Sequence, residues 1–312
     1  MASEATRWPS KATPDRRSEE HMFVIAGATG NTGSVVADTL LAQGKKVRVL
    51  VRDAAKGEAF RKRGADVFVL PSLDDEAGLT RALTGAEAAY ILSPPDVASS
   101  SFLADRRKTF DVVKRAVDAS GVGHVVLLSS IAAHRDHGTG PILSVAYAER
   151  VLRETKAKLT FVRASYFLEN WAPVLAATAD GKLPTFLPAD LTIPMVATKD
   201  IGLVAAKALL EGPPSAKVDI IELAGAEDES PRTIAAHLST ILGKPLELDV
   251  APLDAVVPVF TSFGVSVDAA SLFREMYAGL QNGTVAFEGN GARFVRGSTG
   301  AEAVLRGLLG KG

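Results

Sequence analysis

The stretch Gly27-Ala28-Thr29-Gly30-Asn31-Thr32-Gly33 stands between a short apolar run, Phe23–Ala26, and an amphipathic stretch, Thr32–Gln43. A buried strand, a tight glycine turn and a helix in direct succession constrain this chain more than any other feature it has. At such a junction Gly27 permits the turn, Gly30 lets a ligand approach the backbone, and Gly33 lets helix and strand pack closely. The first N–H groups of the helix have no acceptor of their own, and the helix dipole adds partial positive charge, so the junction suits a diphosphate. The spacing is G-x-x-G-x-x-G rather than G-x-G-x-x-G, and glycines alone are a weak signal. Their place between a first strand and a first helix makes the signal specific. All seven residues from Gly27 to Gly33 are therefore assigned to dinucleotide contact.

The rest of the chain keeps that rhythm. Val47–Val51, Val67–Leu70, Ala88–Leu92, Val125–Leu128 and Leu159–Val162 read as buried strands. Between them, 32–43, 54–63, 75–83, 105–120 and 146–155 read as helices. The alternation predicts an α/β fold, a Rossmann doubly wound parallel sheet. After Arg163 the pattern changes. Helices are expected at 168–179, 201–210 (with Asp200 as its cap), 231–242 (with Ser230 as its cap and Pro231 first), 266–281 and 301–309, and strands at 192–196, 218–223 and 247–250. The domain reading is a leader at 1–21, a dinucleotide-binding domain at 22–165, and a segment at 166–312. That last segment returns to the sheet and forms a smaller, mostly helical substrate lobe.

Composition narrows the partners. The formal net charge of −1 gives no global field for nucleic acid. No apolar run approaches the roughly 18 residues of a membrane span. Residues 1–21 are polar, without the apolar core of a secretory signal, and are read as a disordered leader. The chain has no cysteine, which excludes disulfides and a thiol nucleophile and suits a reducing cytoplasm. Its five histidines are scattered, with no metal-binding spacing. A small-molecule substrate is the expected partner.

Cofactor choice is written at the end of the second strand, Val51-Arg52-Asp53. An acidic residue there takes a ribose 2′-hydroxyl, whereas arginine accommodates a 2′-phosphate. Asp53 keeps an NAD reading open. Arg52, with Lys56 one turn on, favours NADP(H) over NAD(H), because a guanidinium grips phosphate through two bonds. Arg52 and Asp53 as a solvated loop pair is the plainer alternative.

The GATGNTG loop, Val49–Asp53, Leu92-Ser93-Pro94-Pro95, Leu128-Ser129-Ser130, Arg163–Asn170 and Asp200-Ile201-Gly202 together resemble the NmrA-like, atypical short-chain dehydrogenase/reductase family. The likeness runs from about Phe23 to Leu309. It implies an NADP(H) cleft contacted by Gly27–Gly33, Arg52 and Ser93, with Tyr166 to Asn170 beside the nicotinamide. It also implies either a quinone, azo-dye or triphenylmethane-dye reductase, or a non-catalytic regulator that senses the dinucleotide and has a protein partner. Two positions depart from the family. Tyr147 is followed four residues on by Val151 rather than lysine; aligning on Glu149 instead puts Pro141 and Val145 at the tyrosine and lysine positions. Ser72 stands where an adenine-contacting aspartate is common, with Asp74 and Asp75 beyond it. In place of the missing relay, Ser129, Ser130, His134 and Tyr147 are the catalytic candidates, with His137 in the same loop as His134. Each also has a plainer reading, as a strand-end turn, a solvated loop histidine or a helix tyrosine covering the core. Hydride transfer from NADPH to an electron-poor acceptor needs the relay least, because such an acceptor stabilises charge itself. The non-catalytic sensor is the alternative.

Overall fold

The structure, a computed structural model, describes residues 22–93 and 96–311. The expected leader and Pro94-Pro95 lie outside them. The first half alternates β1 (Met22–Ile25), α1 (Asn31–Ala42), β2 (Lys46–Val51), α2 (Ala54–Arg61), β3 (Asp66–Val69), α3 (Glu76–Leu83), β4 (Ala88–Ile91), α4 (Phe102–Ser120), β5 (His124–Ser130), α5 (Leu143–Leu152) and β6 (Lys158–Ala164). The second half holds β7 (Tyr166–Phe167), β8 (Lys182–Thr185), β9 (Ile193–Val196), α6 (Thr198–Glu211), β10 (Val218–Ala224), β11 (Asp228–Glu229), α7 (Pro231–Leu242), β12 (Glu247–Val250), α8 (Val256–Ser262), α9 (Val267–Gln281), β13 (Arg293–Arg296) and α10 (Ala301–Leu308).

Eight strands form one parallel sheet in the order β13-β10-β6-β5-β4-β1-β2-β3. The chain leaves β1 toward β2 on one side and returns at β4 on the other, so the strand order reverses there. Ligands of such sheets bind outside the carboxyl ends of the strands at that reversal. The strands are near-continuous apolar runs because both faces are covered. Val36, Ala37 and Leu40 of α1 and Ile201, Ala205 and Leu209 of α6 bury one face, against Ile25, Val49 and Val162. Leu79 of α3, Phe110 and Val113 of α4 and Leu152 of α5 bury the other, against Val24, Ile91 and Leu127. A third core, with Trp171, Leu183, Met195, Ile234, Leu238 and Leu305, belongs to the lobe. Two small sheets, β11-β9-β7 and β12-β8, join the lobe's helices.

Two expectations are corrected. Residues 168–180 form 3₁₀ turns with Pro173 inside, not an α-helix, because proline lacks the donor an α-helix needs. Asp200 does not cap α6. The helix begins at Thr198, and the buried Asp200 carboxylate instead accepts from Thr299 N–H and Oγ1, both at 2.8 Å, tying α6 to the chain before α10. The N-terminus of α6 is met by Glu169, whose carboxylate accepts from Thr198 N–H at 2.9 Å.

Candidate dinucleotide site and its surroundings

The glycine loop runs from the end of β1 into α1. Gly27 has φ +65°, where a side chain is strained, and a Cβ there would press on Leu92. A Cβ on Gly33 would lie 2.3 Å from Gly27 O, so helix and loop meet backbone to backbone. Ala28 and Thr32 are buried, and Thr32 Oγ1 accepts from the fully buried Tyr90 hydroxyl of β4 at 3.0 Å, which locks the first turn of α1 onto the sheet. Burial keeps that phenol protonated by raising its pKa. Thr29, Gly30 and Asn31 face solvent. No side chain caps α1, whereas Asp53, Asp75, Ser230 and Ser266 cap α2, α3, α7 and α9. The donors of the first turn of α1 therefore have no side-chain acceptor.

Next along the edge, Arg52, Asp53 and Lys56 are exposed. The Asp53 carboxylate accepts from Ala55 N–H at 2.9 Å, which commits one oxygen to capping α2. Arg52 and Lys56 have no ion pair among the described residues. Beyond β3, Ser72 and Thr109 donate to the Asp74 carboxylate at 3.1 and 2.6 Å, and Asp75 accepts from Gly78 N–H at 2.9 Å, so Asp74 is held by two hydroxyls and Asp75 caps α3. Past β4, Ser93 Oγ is buried without a hydrogen-bond partner among the described residues. A cradle that a Cβ would fill and an orphaned hydroxyl both fit a bound dinucleotide.

The serines that end β5 diverge because adjacent strand residues face opposite sides. Ser129 is buried and donates to Glu149 Oε1 at 2.6 Å. Glu149 also accepts from Arg163 Nε and Nη2 at 2.9 and 2.8 Å, while Arg163 Nη1 donates to Glu288 at 2.5 Å. The hydroxyl of the half-buried Ser130 has no partner among the described residues, and Ala132 just beyond has φ +62°, a strained value for alanine. His134 stands near Glu288 and Arg163; burial first of all lowers its pKa, which keeps it neutral. His137 is exposed and paired with Asp136. Tyr147 turns toward α4, donates to Asp111 at 2.7 Å, and has the Arg107 and Arg150 guanidiniums 5.7 and 4.9 Å from its ring centre. That bond to Asp111, more than burial, raises its pKa. It borders a recess of about 630 Å³ together with His134, Glu149 and Arg163, on the side of α5 away from the buried Ala148 and Leu152.

Tyr166 and Asn170 follow β6. Tyr166 stands beside Asn170 and Tyr277 of α9, and burial raises its pKa well above the ordinary value. Around Tyr277 stand Phe186 and Phe260, with ring centres at 5.4 and 6.3 Å, and Phe273 lies 5.2 Å from Phe260. All are half-buried. No local pattern in the sequence marks this aromatic wall, because its rings come from α8, α9 and the chain after β8. Among the described residues no helix is long and apolar enough to cross a membrane, and no acidic, histidine or cysteine group could hold a metal ion.

Comparison with known proteins shows the family and the fold. The model of the NmrA-like family matches residues 19–283. An NAD(P)H azoreductase of Xenophilus azovorans is 24% identical over 82% of this chain and 86% of that protein. A (4-alkanoyl-5-oxo-2,5-dihydrofuran-3-yl)methyl phosphate reductase of Streptomyces griseus is 30% identical over 75% of this chain and 78% of that protein. Among solved structures, the NADPH-dependent quinone oxidoreductase of Escherichia coli complexed with NADPH superposes with a TM-score of 0.75 at 23% identity. That match spans 92% of this chain and 100% of the other.

Proposed function

The chain belongs to the NmrA-like family, and on that premise we propose that it is an NADPH-dependent reductase passing hydride to a small, flat, electron-poor acceptor such as a quinone, an azo dye or an enone. The observation that carries the reading is the open, uncapped N-terminus of α1 behind a backbone-tight glycine loop. Its free donors and dipole suit a diphosphate. Arg52 and Lys56, both exposed and without an ion pair among the described residues, would hold the 2′-phosphate, and the orphaned Ser93 Oγ would bond farther along the dinucleotide. Asp53 has already given one oxygen to α2, which supports NADP(H) over NAD(H).

When bound, the dihydronicotinamide supplies the hydride. The chain's own residues orient the acceptor and exclude water. The half-buried rings of Phe186, Phe260, Phe273 and Tyr277 offer a face for a flat molecule. Ser130 has a hydroxyl free to meet developing charge, whereas Ser129 is spent on Glu149. Tyr147 donates to Asp111, and His134 is kept neutral, so neither supports a simple donor role. The reductase relatives favour a small-molecule substrate.

NADPH oxidation followed by absorbance against quinones, azo dyes and enones is the test. Turnover with any of them is the expected result. Tight NADPH binding with turnover of none would point instead to a non-catalytic sensor.

A further inference from the structure

The recess of about 630 Å³ beside α5 carries a charge unlike that of the chain as a whole. Arg107, Arg135, Arg150, Arg153 and Arg163 line it, against the carboxylates of Asp136, Glu149 and Glu288, in a chain whose formal net charge is −1. The acidic side is largely spent. Glu149 and Glu288 both hold Arg163, and the exposed Asp136 is paired with His137. Arg153 lies 3.6 Å from Glu149. Arg107 of α4, Arg135 of the loop after β5 and Arg150 of α5 are exposed and have no ion pair among the described residues. Three separate elements thus bring like charges to one concavity, an arrangement that costs free energy until an anion answers it.

Tyr147 steadies two of these guanidiniums. Its hydroxyl donates to Asp111 of α4 at 2.7 Å, which sets the ring, and the guanidinium carbons of Arg107 and Arg150 lie over that ring at 5.7 and 4.9 Å from its centre. A guanidinium over a ring is held by its face, so its N–H edge stays free to donate. That order exists before a ligand arrives, which lowers the cost of binding one. Leu143 and Ala146 of α5 and Ile220 of β10 add an apolar side that suits an organic body. None of the residues assigned to the dinucleotide lines the recess, and neither does Asp111.

We propose that this recess is a second ligand site, for a small organic phosphate, separate from the dinucleotide site. A phosphate monoester is close to a dianion near neutral pH and presents three strong acceptor oxygens, which guanidiniums from several elements can share. A carboxylate has one charge and two oxygens in one plane, a match for a single fork. Tyr147 is the positioning residue of the site. The site stands whether or not the chain is a reductase.

Phenyl phosphate, titrated calorimetrically into the full chain in the presence of saturating NADPH and at constant ionic strength, tests the site. A single equivalent should bind, and benzoate should bind about tenfold more weakly or worse. Arg107→Gln and Arg150→Gln are surface changes that leave the fold intact. Each should weaken phenyl phosphate by about tenfold or more, the worth of one charge-assisted bond, with NADPH affinity unchanged. Tyr147→Ala should weaken it several-fold, and Tyr147→Phe, which keeps the ring, should restore most of the loss. Absence of saturable binding, binding that NADPH abolishes, or binding indifferent to both arginine substitutions overturns the site. Benzoate bound as tightly as phenyl phosphate overturns the assignment to phosphate.

Discussion

Glu149 of α5 and Arg163 at the end of β6 meet through two parallel hydrogen bonds of 2.9 and 2.8 Å, with both side chains almost wholly withdrawn from water. The guanidinium is further held by Glu288, and Ser129 fills the remaining side of Glu149. Burying these charges is costly, and the pairing offsets the cost only while it is complete. Removing Glu149 would leave the Arg163 cation under α5 with Glu288 as its remaining carboxylate, where helix, sheet edge and the chain before β13 come together.

Glu149→Ala should therefore destabilise the chain by about 3–5 kcal/mol, toward the lower end because Glu288 stays on Arg163. Urea unfolding of parent and variant measures this. A loss under about 1 kcal/mol, the scale of a surface pair, would show that the cluster is not closed to water in solution.

The glycines of the loop divide into two roles. Gly33 touches backbone, and a Cβ there would lie 2.3 Å from Gly27 O. Gly33→Ala should cost about 1–3 kcal/mol of stability as loop and helix separate. Gly30 is exposed, with φ −100° and its nearest neighbour 3.3 Å from a Cβ, so the fold should accept Gly30→Asp. Its carboxylate would repel a diphosphate, and NADPH binding should fall by about tenfold or more, one charge-assisted contact being worth roughly that much. Fluorescence titration with circular dichroism as the folding control separates the two. Undiminished NADPH affinity in folded Gly30→Asp would remove the dinucleotide assignment.

The glycine loop and the first six strands are legible in the sequence because burial on both faces makes each strand an apolar run and the turn demands glycine. β13 is not legible. It reads Arg293-Phe294-Val295-Arg296 and lies at the sheet's edge with Phe294 exposed, so no burial pattern marks it. Asp200 reads as a cap because aspartate favours that place. Its real partner, Thr299, is 99 residues away, and no local pattern reports it. The same distance in sequence hides the Tyr166–Tyr277 pair and the bond from Arg163 to Glu288. Ser129 and Ser130 look equivalent in the sequence; the strand's alternation gives one to Glu149 and leaves the other free.

His124 makes stability depend on pH. It is 1% exposed, its Nε2 lies 3.0 Å from Thr160 Oγ1, and burial lowers its pKa to about 4. A folded-state value below the unfolded one means that the unfolded chain binds the extra proton. The stability is whole above about pH 6.5 and is lost as pH falls toward 4. Between pH 7 and 4.5 the parent should lose roughly 2–3 kcal/mol more than His124→Gln. Denaturant unfolding at both pH values measures the difference. Parallel losses in the two proteins would show that His124 is not protected from protonation.

Cofactor choice turns on two adjacent residues with different employers. Asp53 caps α2, so Asp53→Ala should cost about 1 kcal/mol of stability. Arg52, without an ion pair among the described residues, is free to meet a phosphate. NADPH and NADH differ only by the 2′-phosphate, so a selective loss isolates that contact. A charge-assisted bond to phosphate is worth on the order of 1.5–3 kcal/mol. Arg52→Ala should then weaken NADPH by about tenfold to somewhat over a hundredfold. NADH should change little. Lys56→Ala should act in the same direction but less, since an ammonium brings charge without the planar fork. The contact is electrostatic and exposed, so dissociation constants for both cofactors must be compared at one salt concentration. A parent that prefers NADH, or an Arg52→Ala variant weakened equally for both cofactors, would mean that the free oxygen of Asp53 reads the ribose and that the 2′-phosphate has no site on this edge.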